Sequence, residues 1–373
     1  MTTKRVFLFN PENDLALARN LAHYTPPPAA SRLKLSGETL PLWYAGPHDV
    51  FVCSGVSAQW LDLIQSTFDI RTEPYDYHPE GLLPTPWGWS PAVRYEFWNM
   101  GFGYEVLPSE AAIGRIRELS HRRTAAEITR RLIADGVELA PAAVELSSVD
   151  DLRAFLDTAD SVMFKLPWSS SGRGLLPYSS AERRAKFAQL AGVIRKQGSI
   201  MAEPRHNRLN DFAMLFNMEE GRALYRGLSL FTTDSNGAYT SNLLMPQQAM
   251  EERLAAECGL ASLAPMRDAL ARELAAVVGA DYSGPLGVDF LTRRGEAPAL
   301  CEINLRNTMG HLSLDLYSRH IEEGRSGVFA ITPRDAASAE RRKVWPEVFG
   351  GRLRRGTLFL NQPGSFFDFT ATV

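Results

Sequence analysis

Two apolar runs, LGVDFLT and ALCEIN, flank the turn-forming segment RRGEAP between residues 286 and 304. They read as the two arms of a β-hairpin. With the turn centred between Gly295 and Glu296, Asp289 lies directly opposite Glu302, and Asn304, two residues along, shares their face. Three oxygen-bearing side chains then cluster where the pattern otherwise asks for core residues. Opposed carboxylates repel, and burial makes them costlier still. A divalent cation removes that penalty, and magnesium takes a few carboxylate oxygens together with phosphate oxygens and water. Without a cation, Glu302 would pair with Arg306 or Arg293 and Asn304 would cap the following segment. A one-residue slip of register would undo the cluster altogether.

A second constraint comes from the N-terminus. RVFLF is a short apolar run that stops at NPEND, which predicts a buried strand followed by a helix with Asn10 as N-cap and Pro11 in the first helical position. DVFVC (49–53) predicts a second strand, SAQWLDLIQSTF a helix and DIRTE a third strand. Such alternation implies a parallel sheet with crossover helices over residues 1–108. Ligands of parallel sheets usually bind at the strand ends where NPEND falls, so Asn10, Glu12, Asn13 and Asp14 either touch a substrate or simply cap the helix.

From Ser109 the chain turns to Arg, Ala and Glu. SHRRTAAEITRRLIADG predicts a helix ended by Gly136, and SSVDDLRAFLD a capped helix. FKLPWSSSGRGL then places Lys165 near the end of a strand with a Ser/Gly loop behind it. Small residues let backbone N–H groups approach a phosphate, and Lys165 and Arg173 add charge, although a plain flexible connection has the same composition. No GxxxxGK[ST] occurs. SIMAEP is a strand ending at Glu203, and DFAMLFNM, LYRGLSLFTT and AYTSNLL read as successive antiparallel strands.

The order of these parts resembles the ATP-grasp superfamily over roughly residues 115–312: GVELAP, VMFKLPWSSSGRGL, IMAEP, GPLGVDFL and CEINLRNTMG. The resemblance implies an α/β protein, α+β in its catalytic part. Its N-terminal parallel α/β domain (1–108) would precede a grasp of two α+β subdomains (109–198 and 199–330), with a C-terminal extension (331–373) packing back. It implies that Asp289, Glu302 and Asn304 hold Mg²⁺, with Mn²⁺ an alternative, on bound ATP. Lys165 would contact the α and β phosphates, and the loop Ser169, Ser170, Ser171, Gly172, Arg173 and Gly174 would fold over the triphosphate. Glu203 would lie by the adenine, Asp211 by the ribose, and Arg306 against the transferred phosphate or an acyl-phosphate. Relatives usually carry an earlier lysine; here LSHRRTAAEI offers Arg122 or Arg123, with fork geometry instead of a point charge. The ending NTMGH also departs from the usual Pro-Gly. The implied activity is an ATP-dependent ligase joining a carboxylate to an amine, with a small-molecule kinase and a non-catalytic nucleotide-binding module as rivals.

Composition narrows the partners. A net charge of −3 gives no global field toward nucleic acid or an anionic membrane. No apolar run approaches the ~20 residues of a membrane span, and the first residues lack a secretory apolar core, so a cytoplasmic location is expected. Cys53, Cys258 and Cys301 lie far apart and form neither a CxxC pair nor a disulfide framework. No GxSxG elbow is present. The seven histidines show no HExxH spacing, and only His311, which trails the Glu-x-Asn motif, invites a catalytic role. Oligomeric state is not fixed by these features; a homodimer is the commonest assembly for a soluble enzyme.

Overall fold

In the computed structural model, which describes residues 4–169, 174–206, 208–234, 237–293 and 295–373, the first apolar run forms the strand β1 (Lys4–Leu8). It pairs in parallel with β2 (Val50–Phe51) and β4 (Leu82–Pro86), and β3 (Glu73–Pro74) extends the sheet in the order β3-β2-β1-β4. Val6 and Leu8 pack with Val93, Phe97 and Phe102 on one face. Phe7 and Phe9 pack with Trp43, Phe51 and Trp87 on the other. Both faces are covered, which is why the run is continuously apolar rather than alternating. The third strand is only Glu73–Pro74, shorter than DIRTE suggests.

The helix after β1 begins at Asn13, with Glu12 and not Asn10 at the N-cap, and no side chain caps it. Asn10 is drawn elsewhere: its amide donates to the Gly88 carbonyl at 2.9 Å and accepts from the Gly88 N–H at 3.3 Å. That clamp joins the ends of β1 and β4. Gly88 is obligatory there, since a Cβ would lie 2.6 Å from the Asn13 side chain and 2.9 Å from the Arg306 Cβ. The Pro-rich segment before residue 32 contains the start of a helix, Pro28–Ser36. Proline is favourable in the first helical turn, where no N–H is needed.

A second, antiparallel sheet holds β5 (Val144–Leu146), β6 (Ser161–Lys165), β7 (Leu175–Ser179) and β8 (Ile200–Pro204) in the order β5-β8-β6-β7. The helices Val149–Thr158 and Arg183–Gln197 cover one side of it. The largest sheet contains β9 (Arg208–Glu219), β10 (Arg222–Thr233), β11 (Tyr239–Leu244), β12 (Gly284–Arg293), β13 (Glu296–Asn304) and β14 (Gly327–Pro333). After the small hairpin β15 (Glu347–Phe349) and β16 (Arg352–Arg355), the C-terminal tail adds two strands, β17 (Thr357–Phe359) and β18 (Phe367–Thr372). The antiparallel order is β13-β12-β9-β10-β11-β14-β18-β17.

One face of this sheet presents Phe212, Met214, Phe216, Val288 and Phe290 to the helices Arg122–Ala134, Gln247–Glu257 and Ala264–Val277. The alternate residues, Asp211, Ala213, Gly287 and Asp289, look the other way. No described helix is long and apolar enough to cross a membrane.

Candidate active site

The hairpin β12–β13 closes one residue earlier than its sequence suggests, with Arg293 opposite Glu296. Two irregularities then shift the register, so that Leu291 faces Ala299, Phe290 faces Leu300 and Asp289 faces Glu302. Leu300 and Ile303 both belong to the apolar core. Strict alternation would have placed Glu302 on the core side with Leu300. The bulge after Leu300 turns Glu302 and Asn304 onto the face of Asp289, the re-aiming that bulges beside functional sites provide.

These side chains form a connected set. Asn304 Nδ2 donates to Asp289 Oδ2 at 3.0 Å, and Arg306 Nη2 donates to Asn304 Oδ1 at 2.8 Å. Burial, and next the facing Glu302, push the Asp289 carboxyl well above its ordinary range. Glu302 pairs with Arg122, not with Arg306 or Arg293. Arg293 is taken by Glu296. Arg306 is held by Asp14, Nε to Oδ1 at 3.0 Å and Nη2 to Oδ2 at 2.7 Å. Burial works against that guanidinium, but Asp14, together with Glu302 and Asp289, outweighs it and Arg306 is held above its ordinary value.

The donors are hard oxygens: two opposed carboxylates and one amide. Burial, and next the facing Glu302, make a charged Asp289 costly, and a divalent cation relieves that cost, so the residues fit Mg²⁺. Among the described residues no group of three or more His, Cys, Asp and Glu side chains could hold a metal alone. Such a cation would therefore take its remaining ligands from Asn304, from phosphate oxygens and from water.

Lys165, at the end of β6, is nearly buried and pairs with Glu203 of β8 at 2.6 Å. Burial works against the ammonium, yet with the ion pair to Glu203 among the opposing influences the lysine stays above its ordinary value and charged at neutral pH. The Cys301 thiol beside them is pushed by burial up to about 12 and stays protonated. Asp211, in β9, pairs with Arg208 and accepts from the Thr233 hydroxyl at 3.4 Å; burial raises its carboxyl.

The two arginines separate. Arg122 opens its helix and donates to the Leu166 carbonyl at 3.0 Å, to Ser169 Oγ at 3.2 Å and to the Cys301 carbonyl at 3.4 Å, besides pairing with Glu302. It thereby ties the start of the Ser/Gly loop to β13. Arg123 turns away, to Glu145 at 2.9 Å, and more than half of its side chain is exposed. The loop is the tip of the β6–β7 hairpin, closed by a bond from Leu166 N to the Gly174 carbonyl at 3.0 Å. Ser170, Ser171, Gly172 and Arg173 lie outside the described residues. Trp168 anchors the near side, its Nε1 donating to the Arg117 carbonyl at 2.9 Å with the Arg117 guanidinium 3.8 Å above its ring.

Two cavities meet at the carboxylates. The smaller, about 200 Å³, is lined by Arg122, Lys165, Glu203, His206, Arg208 and Asp211. The larger, about 460 Å³, is lined on its polar side by Asn304, Arg306, Ser229 and Asn242, and elsewhere by Trp87, Phe231, Tyr239, Met309 and Phe367. Asp289 and Glu302 line both. The walls contributed by β10 and β11 were missed in the sequence. Their one signal is that Ser229 and Thr233 interrupt apolar positions of LSLFTT with period two.

His311 lines neither cavity. It is buried, with Nδ1 2.9 Å from the Thr308 hydroxyl and Nε2 3.2 Å from the Phe216 carbonyl, and burial lowers its pKa to about 4. It fastens the first turn of the helix Met309–His320 to β9 and does not reach the site.

No model of a known protein family matches the sequence, and no curated protein matches it. Solved structures do. Biotin carboxylase from Campylobacter jejuni, in its complex with β-γ-ATP, matches with a TM-score of 0.56 at 11% identity, covering 99% of this chain and 87% of that one. N5-carboxyaminoimidazole synthetase from Staphylococcus aureus, complexed with ADP, matches with a TM-score of 0.51 at 10% identity over 100% and 94%. The corresponding ribonucleotide synthetase from Thermus thermophilus gives 0.50 at 14% over 98% and 93%. Identity this low speaks for shared architecture. A parallel N-terminal sheet, a four-stranded antiparallel sheet carrying the lysine, and a large antiparallel sheet carrying the paired carboxylates make this chain a protein of the ATP-grasp fold.

Proposed function

We propose that the chain is an ATP- and Mg²⁺-dependent ligase that joins a carboxylate to an amine through an acyl-phosphate. The observation that carries this reading is the meeting of two cavities at one pair of carboxylates, Asp289 and Glu302. A nucleotide in the smaller cavity and an acceptor in the larger would face each other across them. Two of the matched structures hold ATP or ADP in their own sites.

Asp289, Glu302 and Asn304 would hold the Mg²⁺, whose part is to neutralise charge on the phosphate oxygens. Lys165 would reach the α and β phosphates and Arg122 the entering triphosphate, with Glu203 near the adenine and Asp211 near the ribose. The acceptor carboxylate oxygen attacks the γ-phosphorus, the new O–P bond forms and ADP leaves. The amine nitrogen then attacks the acyl carbon, the C–N bond forms, phosphate leaves and the amine proton passes to phosphate or solvent. Arg306 faces the transferring group from the acceptor side. Such chemistry asks the protein for positioning and charge, not for a nucleophile.

Incubation with ATP, Mg²⁺, a carboxylate panel and hydroxylamine tests the reading. A ligase converts its carboxylate to a hydroxamate with stoichiometric ADP and phosphate. A stable phosphoester without hydroxamate assigns a kinase instead, and ATP binding without turnover assigns a nucleotide-binding module.

A further inference from the structure

The larger cavity is short of positive charge. Among the described residues that line it, Glu12, Asp234, Asp289 and Glu302 are acidic and only Arg306 is basic. Arg306 is already held twice by Asp14. With Asp289 and Glu302 given to a metal, the acceptor end keeps a carboxylate from the NPEND turn and, among the described residues, no second basic side chain to offer a phosphate or sulfate group.

Glu12 is 7% exposed, and its Oε2 has no hydrogen-bond partner among the described residues. The nearest ammonium, Lys34 Nζ, stands 3.7 Å from Oε1, beyond hydrogen-bond distance. Lys34 gives its protons to Glu96 instead, at 2.8 and 2.9 Å. Burial raises the Glu12 carboxyl, and Lys34 together with the residue's own backbone N–H only partly restores it, leaving Oε2 without a donor. Around it the cavity wall is apolar: Leu15, Ala30 and Leu33, with Trp87 and Phe367 beyond. A buried carboxylate oxygen without a donor is costly, and a ligand ammonium in the cavity supplies donors that Lys34 does not.

We propose that the larger cavity takes an amine-bearing substrate with an apolar body, its ammonium group held by Glu12. This rests on the ligase reading only in treating that cavity as the acceptor site.

Ligand-induced thermal shift and titration calorimetry, run without ATP, test it. The probes are the apolar amino acids from alanine to tryptophan and apolar primary amines, set against the matching desamino acids and ribose 5-phosphate. Amine-bearing probes should bind at least about tenfold more tightly than their desamino counterparts. Glu12→Gln, nearly isosteric, should lose about tenfold in affinity for them while its binding of Mg²⁺–ATP is unchanged. Equal binding of amine and desamino probes, preference for ribose 5-phosphate, or no amine binding at about 10 mM overturns the proposal. So does undiminished amine selectivity in Glu12→Gln, which would make the residue a structural partner of Lys34. The wild-type comparison stands even if the variant fails to fold. Amine selectivity with no hydroxamate formation would sink the ligase reading and leave this inference standing; hydroxamate formation only from substrates lacking an amine would do the reverse.

Discussion

Asp14 and Arg306, 292 residues apart, form a bidentate ion pair with both side chains largely buried, at 13% and 14% exposure. The first turn of the helix after the first strand of the parallel sheet is thereby fixed to the arginine two residues past the Glu-x-Asn pair. Arg306 in turn bonds Asn304, and Asn304 bonds Asp289. The N-terminal sheet thus sets the position of the carboxylates through three consecutive side-chain contacts.

Removing one partner of a buried pair leaves the other uncompensated, typically at about 3–5 kcal/mol. Asp14→Ala should lower unfolding stability by roughly 3 kcal/mol in urea titrations. Turnover should fall about a hundredfold, since Arg306 loses its placement. Asp14→Ala combined with Arg306→Met should recover much of the stability but none of the turnover. A double variant as unstable as the sum of its parts would show that the two side chains are not coupled.

The choice between neighbouring arginines is a sharper test. Arg122 contacts Glu302, Ser169 and the Leu166 and Cys301 carbonyls, whereas Arg123 pairs with Glu145. Arg122→Ala should weaken Mg²⁺–ATP binding about tenfold or more, as expected for a charged partner of phosphate. Arg123→Ala should stay within about twofold, as exposed ion pairs contribute little. Calorimetric titration with ATP checks both, and equal losses would remove Arg122 from the nucleotide site.

How much of this was legible depends on what each residue's role requires. Asp289 opposite Glu302 followed from counting outward from a turn, because like charges rarely face each other in a sheet without reason. Yet the count placed the turn one residue late, and two register shifts bring the pair together. A bulge carries no mark in composition, so that agreement had a different physical cause from the one supposed. That the N-terminal sheet is parallel was legible in its alternating apolar runs; its strand order was not. The use of NPEND was not: its four polar residues suit a helix cap, and only tertiary contacts reveal that Asn10 clamps Gly88 while Asp14 clamps Arg306. His311 was drawn toward the site by sequence proximity alone. Its ring is instead spent on the Thr308 hydroxyl and the Phe216 backbone carbonyl and lines neither cavity.

That burial gives His311 a measurable signature. Its neutral ring suits its partners, Nε2 donating to the Phe216 carbonyl and Nδ1 accepting from Thr308. Burial holds its pKa at about 4, below the ordinary 6.5. The folded protein therefore binds fewer protons here than the unfolded chain. The stabilisation is fully present above the unfolded value and is lost as pH falls from about 6.5 toward 4, by up to roughly 3 kcal/mol. His121, at about 3, and His320, at about 4, act in the same direction. His311→Gln should flatten part of the decline in urea stability across that window and leave turnover within about threefold at neutral pH. A variant with unchanged pH dependence would mean that the ring is not held neutral in the folded state.

The opposed carboxylates make the strongest prediction, because structure and function pull in opposite directions there. Asp289 faces Glu302 while buried, so without a cation burial and the facing carboxylate both raise the cost of charging Asp289. Asp289→Asn keeps the shape and an oxygen that can accept from Asn304, and removes one of the two charges. In the absence of metal and nucleotide it should unfold no earlier than the wild type, and later by about 1 kcal/mol if the repulsion is felt in full. The wild type should be stabilised by Mg²⁺–ATP, by about 2.7 kcal/mol at a hundredfold excess over Kd, whereas the variant should gain little from adding Mg²⁺ to ATP. Thermal unfolding of both proteins in chelator, in ATP alone and in Mg²⁺–ATP decides the matter. Should Asp289→Asn be less stable in chelator and still respond fully to Mg²⁺–ATP, the pair would be a structural device, and the cation would have to bind elsewhere.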